Sequence, residues 1–132
     1  MKKDIENRKD IEVLVNTFYV KVIADDVIGF IFNDIVKINW KTHLPIMYDF
    51  WDNALFFTGS YTGNPMNLHK HLHHIRPLDS KHFTQWVHLF TETVDELFEG
   101  EKATLAKQRA NSIASIMEIK ILQYRIGQDT VY

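Results

Sequence analysis

The stretch IEVLVNTFYVKVIADD, residues 11–26, decides the fold class. Its apolar residues recur three or four positions apart, which is the period of one broad apolar stripe along an α-helix. These residues are Ile11, Leu14, Val15, Phe18, Tyr19, Val22 and Ile23. The stripe predicts a helix that ends near Asp25 and buries one side against the rest of the chain.

The next segments continue the helical pattern. VIGFIFNDIV, residues 27–36, predicts a shorter element, and Asn39 is a suitable cap or turn residue after it. We expect the helix in WKTHLPIMYDFWDNALFF to start near Thr42, because Pro45 then stands in its first turn, where a missing N–H does little harm. One face of that helix carries His43, Met47, Phe50, Trp51 and Ala54.

Two further helices complete the predicted fold. In DSKHFTQWVHLFTETVDELFEG, residues 79–100, Ser80 is the expected N-cap and Gly100 the expected stop. The apolar face there consists of Phe83, Trp86, Val87, Phe90, Val94 and Leu97. The last helix runs from about Glu101 to Arg125 and is expected to bury Leu105, Ala110, Ile113, Met117, Ile121 and Tyr124. Because no segment alternates like a strand, we predict one all-α domain over residues 1–132.

Composition excludes several classes of protein. The net charge of -2 offers no basic surface for nucleic acid or for an anionic membrane. The charged start MKKDIENRKD does not resemble a secretory signal, and no apolar run approaches membrane-spanning length, so we expect a cytoplasmic protein. The chain has no cysteine, which excludes disulfides, thiolate zinc sites, iron–sulfur clusters and covalently attached c-type haem.

A histidine cluster is the most unusual local feature. The stretch NPMNLHKHLHHIRP, residues 64–77, contains His69, His71, His73 and His74, four of the chain's seven histidines. If the segment is a short helix begun at Asn64 and Pro65 and ended at Pro77, His69 and His73 are an i,i+4 pair that suits half of a zinc site. A solvated face and a single functional imidazole are the competing interpretations.

The aromatic content favours a single functional imidazole. Haem iron needs one neutral imidazole on its proximal side, within an apolar pocket whose other side supplies a few polar groups. The residues available to line such a pocket are Phe18, Tyr19, Phe30, Phe32, Met47, Phe50, Trp51, Phe83, Trp86 and Phe90. Ordinary core packing explains each of them equally well when it is taken singly.

Five motifs in collinear order resemble the group III truncated haemoglobins. They are TFYVKV, IGFIFND, WKTHLPIMYDFW, YTGNPMNLH and HFTQWVHLFTETVDELFEG, and the resemblance extends over about residues 8 to 118. The chain also lacks the paired glycines of other truncated haemoglobin groups. This resemblance implies a two-over-two helical sandwich around a non-covalent haem b, an iron protoporphyrin IX.

The resemblance also implies roles for individual residues. His69, four residues after Pro65, corresponds to the proximal iron ligand, so the other histidines of the cluster are bystanders. Tyr19, His43 and Trp86 correspond to the distal residues that meet the ligand. The predicted haem contacts are Phe18, Phe32, Met47, Phe50, Trp51, His69, Phe83 and Trp86. From their charge, Lys70 and Arg76 are candidate partners of the propionates, although surface cations near a helix end usually contribute little.

The expected function is reversible binding of dioxygen and other small diatomic ligands, with tight binding and slow release. Bound dioxygen carries partial negative charge, and hydroxyl and indole donors in a dry pocket stabilise it by hydrogen bonds. Slow release suits nitric oxide dioxygenase or peroxidase-like chemistry with an external reductase better than oxygen storage. The alternative function is a non-haem zinc-binding or interaction module that uses the cluster from His69 to His74.

Overall fold

The structure, a computed structural model, describes residues 2–35, 39–59 and 79–129. The described residues form four α-helices and one short π-helix, and they include no strand. We number the helices α1 (Arg8–Ala24), α2 (Trp40–Phe56), α3 (Ser80–Leu97) and α4 (Glu101–Asp129), and the π-helix is Ile31–Ile35. The all-α prediction is therefore confirmed. The histidine cluster, with Lys70, Arg76 and its two prolines, lies outside the described residues.

Helix α1 follows the apolar stripe that predicted it. Asn7 is its N-cap, where the side-chain oxygen accepts the N–H of Asp10 at 3.0 Å. The helix ends at Ala24 with Asp25 as C-cap, as expected. Ile23 was assigned to the buried stripe, but its side chain is 38% exposed because it lies at the edge of the packed face.

Helix α2 begins earlier than predicted. The Asn39 side chain accepts the N–H of Lys41 at 3.2 Å, and the Asn39 carbonyl accepts the N–H of His43 at 2.9 Å. This cap starts the helix at Trp40, so Pro45 lies in the second turn and not in the first. There Pro45 has no N–H to donate to the carbonyl of residue 41, so one intrahelical hydrogen bond is missing. The helix continues to Phe56 in spite of this loss.

Helices α3 and α4 form a hairpin with a tight corner. Asp79, and not Ser80, is the N-cap of α3, since its carboxylate accepts the N–H of Lys81 at 3.1 Å and its own N–H donates to Nδ1 of His82 at 2.9 Å. At the corner, Gly100 has a φ of 145°, and an added Cβ would lie 2.5 Å from the carboxyl carbon of Asp4. Only glycine suits this position.

The Asp4 carboxylate caps α4 from outside the hairpin. Its two oxygens accept the N–H groups of Lys102 at 2.9 Å and Ala103 at 2.8 Å. Helix α4 then continues to Asp129, four residues beyond the predicted end. Ala110 and Met117 are buried as predicted, and Leu105 and Ile113 are partly buried.

The helices pack as two stacked pairs. Helix α1 contacts α2, and α3 contacts α4, while α1 also contacts α3 and α2 contacts α4. The core between the pairs contains side chains with 0 to 2% of their surface exposed: Phe18, Phe90, Leu14, Val15, Val22, Leu55 and Val94. This is the predicted two-over-two arrangement. Within the described ranges, no helix combines the length and apolar character that a membrane span requires.

Candidate functional site

A small cavity lies where all four α-helices and the π-helix contribute side chains. Its volume is about 40 Å³. The described residues that line it are Tyr19, Phe32, Met47, Phe50, Trp51, Trp86, Ile113 and Met117. One water needs roughly 10 to 15 Å³ of such space, so the cavity has room for a very small molecule. Its lining is almost entirely apolar and aromatic.

Tyr19 brings a hydroxyl group to this apolar lining. Its side chain is 8% exposed, and burial raises the pKa of the phenol well above its ordinary value of 10.0. The hydroxyl is therefore neutral near pH 7 and can donate a hydrogen bond. Its ring lies 5.0 Å from the ring of Phe18 and 5.0 Å from that of Trp40, centroid to centroid. These contacts hold the phenol in a fixed place.

His43 is the polar neighbour of Tyr19. Its Nε2 lies 3.4 Å from the Tyr19 hydroxyl oxygen, a long hydrogen bond whose donor depends on the imidazole tautomer. The imidazole is half-buried on the first turn of α2, and its ring stands nearly perpendicular to those of Tyr19 and Trp40. The Asn39 cap sets this position, because it fixes where the first turn of α2 begins.

Trp86 faces the same cavity from α3. One contact near the start of α3 joins this helix to the C-terminal end of α1. The capping box of Asp79 and His82 begins the helix, and Gln85 donates from Nε2 to the Asp25 carboxylate at 2.8 Å. Trp86 follows Gln85 directly in the sequence, and it lines the cavity together with Tyr19 of α1. Its ring packs perpendicular to Phe18, at 5.5 Å between centroids.

The structure brings most of the predicted site residues together. Tyr19, Phe32, Met47, Phe50, Trp51 and Trp86 all line the one cavity. Phe18 and Phe83 are buried, but they are not among its described lining residues. Phe18 packs behind Tyr19 and Trp86 instead. His43 reaches the site through Tyr19, and His69 lies outside the described residues.

Sequence reasoning missed three contributors to the site. Ile113 and Met117 were predicted only as core residues of the last helix, yet they line the cavity. Trp40 was part of a quoted motif without a role, yet its ring packs against Tyr19, His43 and Phe32. The helical spacing of residues 113 and 117 places them on one face, but it cannot show that this face reaches the cavity.

Among residues 2–35, 39–59 and 79–129, no group of three or more histidine or acidic side chains is placed to bind a metal ion. The histidine cluster of the zinc hypothesis lies outside these ranges.

The chain is similar to a known protein in sequence and to a solved structure in fold. No protein-family model matches the chain. The chain is 33% identical over 127 residues to the group 3 truncated hemoglobin of Campylobacter jejuni, covering 94% of this chain and 98% of that protein. The crystal structure of the group III truncated hemoglobin from Campylobacter jejuni superposes with a TM-score of 0.75 at 30% identity, again covering 94% and 98% of the two chains.

Proposed function

The chain belongs to the group III truncated haemoglobins, and from this premise we propose that it holds a haem b and binds dioxygen reversibly with slow release. In this proposal His69 is the proximal ligand, and Tyr19, His43 and Trp86 form the distal side. The iron of a bound haem supplies the coordination position that a diatomic molecule takes.

The chemistry of the cavity supports this proposal. A haem pocket needs apolar walls, few polar groups on the distal side, and space for a diatomic molecule. The cavity of about 40 Å³ has the size of a chamber for such a molecule rather than for a porphyrin. The observation that carries the proposal is Tyr19, a residue that is 8% exposed among aromatic rings and whose hydroxyl oxygen lies 3.4 Å from Nε2 of His43.

The distal residues explain why release should be slow. Tyr19 and Trp86 both line the cavity, and their side chains carry an O–H and an N–H donor. A ligand that carries partial negative charge is stabilised by such donors, and more strongly where water is excluded. The apolar side chains of Phe32, Phe50 and Trp51 exclude water around them.

Slow release of oxygen also indicates which kind of reaction the protein supports. A protein that keeps its oxygen is poorly suited to storage, so we extend the proposal to oxygen-dependent chemistry on nitric oxide or peroxide. We propose that the electrons for that chemistry come from a separate reductase. The zinc or interaction module remains the rival hypothesis.

A haem titration separates the two hypotheses. Purified protein should develop a Soret band that saturates at about one haem per chain, and the holo-protein should melt at a higher temperature because the ligand binds only the folded state. Oxygen dissociation and nitric oxide turnover are then measured with a chemical reductant. A chain that binds zinc tightly, shows no Soret band and melts at the same temperature with and without haem would contradict the proposal.

A further inference from the structure

Three aromatic rings form a parallel stack beside the cavity. Phe90 lies between two tryptophans: its ring centroid is 4.7 Å from that of Trp51, with 17° between the planes, and 6.0 Å from that of Trp86, with 13° between the planes. We call Trp51, Phe90 and Trp86 the ring stack. It joins α2 to α3, since Trp51 belongs to the former helix and the other two rings to the latter.

The two outer members of the ring stack line the cavity, whereas the middle one is not among its described lining residues. Phe90 has 0% of its surface exposed. It lies one helical turn after Trp86 on α3, at the i,i+4 spacing that lets side chains touch. A substitution of Phe90 would therefore affect two residues that line the cavity, Trp51 and Trp86, without removing either of them.

The ring of Phe18 restricts the rotation of the Trp86 indole from another direction. Phe18 stands perpendicular to Trp86, at 5.5 Å and 86°, and perpendicular to Phe90, at 5.1 Å and 82°. Rotation of the indole about its side-chain bonds would break the parallel contact with Phe90 or collide with Phe18. The plane of Trp86 is thus determined by its neighbours and not by its own rotamer preference alone.

We propose that Phe90 is a positioning residue for ligand binding, which acts by fixing the plane of Trp86 and so the place of its N–H donor at the cavity. The inference rests on the proposed function, because it assumes that a ligand is bound there. Shape explains why an aromatic residue is needed. Leucine would fill much of the same volume, but it offers no flat face against which the indole can stack.

The test compares Phe90→Leu with Phe98→Leu in the haem-loaded protein. Phe98 is a matched control, because it follows α3 immediately, is 5% exposed and contacts Lys3 rather than the ring stack. Phe90→Leu should speed oxygen release by about 2- to 10-fold, the range expected when one aromatic contact is lost. The stretching band of bound carbon monoxide should shift or broaden, because it senses the orientation of nearby donors. Phe98→Leu should change neither.

A double variant separates positioning from general loosening of the core. If Phe90 acts through Trp86, then Trp86→Phe combined with Phe90→Leu should release oxygen at the rate of Trp86→Phe alone, within about twofold. If Phe90→Leu does not fold, Phe90→Met takes its place, since methionine packs adaptably in a core. The inference is wrong if the Phe90 variant binds haem but releases oxygen like wild type, if Phe98→Leu has the same effect, or if the acceleration persists without Trp86. Failure of wild type to bind haem would instead overturn the proposed function.

Discussion

The Nε2 atom of His43 lies 3.4 Å from the hydroxyl oxygen of Tyr19, so that α1 and α2 meet through a polar contact inside an aromatic cluster. Tyr19 is buried, whereas His43 is only half-buried. The imidazole is therefore the more exposed of the two groups, and the phenol the more buried. This order suggests that His43 controls access to the cavity more than it retains a ligand.

The first prediction follows from that order. In His43→Ala the oxygen association rate should rise, because the more exposed of these two side chains is removed. The dissociation rate should change by less than about tenfold, since one neutral hydrogen bond contributes about 1 kcal/mol. Flash photolysis and stopped-flow mixing measure the two rates. His88→Ala is the matched control, because His88 is 64% exposed and pairs with Glu92 on the surface of α3. A large rise in dissociation alone would make His43 a principal donor.

The second prediction concerns the axial ligand. His69→Ala should lose stable haem incorporation, while His71→Ala, His73→Ala and His74→Ala should each bind about one haem per chain. A haem has one proximal axial position, which a single imidazole fills, so the other three histidines are not needed for incorporation. The Soret absorbance at saturation, normalised to protein concentration, measures incorporation. Normal binding by His69→Ala, together with loss in one of the other three variants, would transfer the ligand role to that residue.

The third prediction concerns stability and pH. Burial raises the pKa of Asp4, but backbone N–H donors from Lys102, Ala103 and Ile5 outweigh this effect, so the pKa is lowered from its ordinary value of 3.8. A carboxyl with a lowered pKa in the folded state stabilises the protein above its unfolded pKa, and this contribution is lost as the pH falls through the folded value. Asp4→Ala should therefore lower the free energy of unfolding by about 1 kcal/mol at pH 7, the usual effect of losing a helix cap.

Urea unfolding at two pH values measures the effect of Asp4→Ala. The difference from wild type should shrink as the pH is lowered from about 6 to below 4, because the wild-type carboxylate becomes protonated there. Glu6→Ala is a suitable control, since Glu6 is an exposed acidic residue of the same segment and pairs only with Lys3 among its described side-chain contacts. An equal loss in both variants, or a loss that does not depend on pH, would contradict the capping role.

The sequence predicted the helices well because their cores follow a regular apolar spacing. It erred at positions where the outcome depends on neighbouring backbone geometry. Asp79 and Ser80 are both good caps, and only the hydrogen bonds to Lys81 and His82 distinguish them. Pro45 suggested a later start for α2, but the Asn39 cap begins the helix before the proline.

In the site, too, sequence motifs predicted some residues, whereas contacts that depend on helix packing could not be predicted. The family motifs predicted the lining residues Tyr19 and Trp86, which belong to different helices and share the cavity. The role of Phe90 could not be predicted, because its stacking between two tryptophans depends on how α2 packs against α3. Spacing along one helix contains no information about that packing.

The central claim, that Tyr19 donates a hydrogen bond to a ligand bound in the cavity, is tested most directly by stopped-flow oxygen dissociation from Tyr19→Phe. A hydrogen bond to a partly charged acceptor contributes roughly 1.5 to 3 kcal/mol, so release should be about 10- to 150-fold faster than in wild type. Trp86→Phe should act in the same direction, and the double variant should not be additive, because both donors share one partner.

Two controls define the outcome of that measurement. Tyr48→Phe removes a hydroxyl that donates to Asn16 outside the cavity, so it should leave oxygen release unchanged. Carbon monoxide, which is far less polarised, should respond much less to Tyr19→Phe than oxygen does. Tyr19→Phe should release oxygen fast, while both controls stay near wild type. Release from Tyr19→Phe that is no faster than from wild type would contradict the central claim, even if haem binding through His69 were intact.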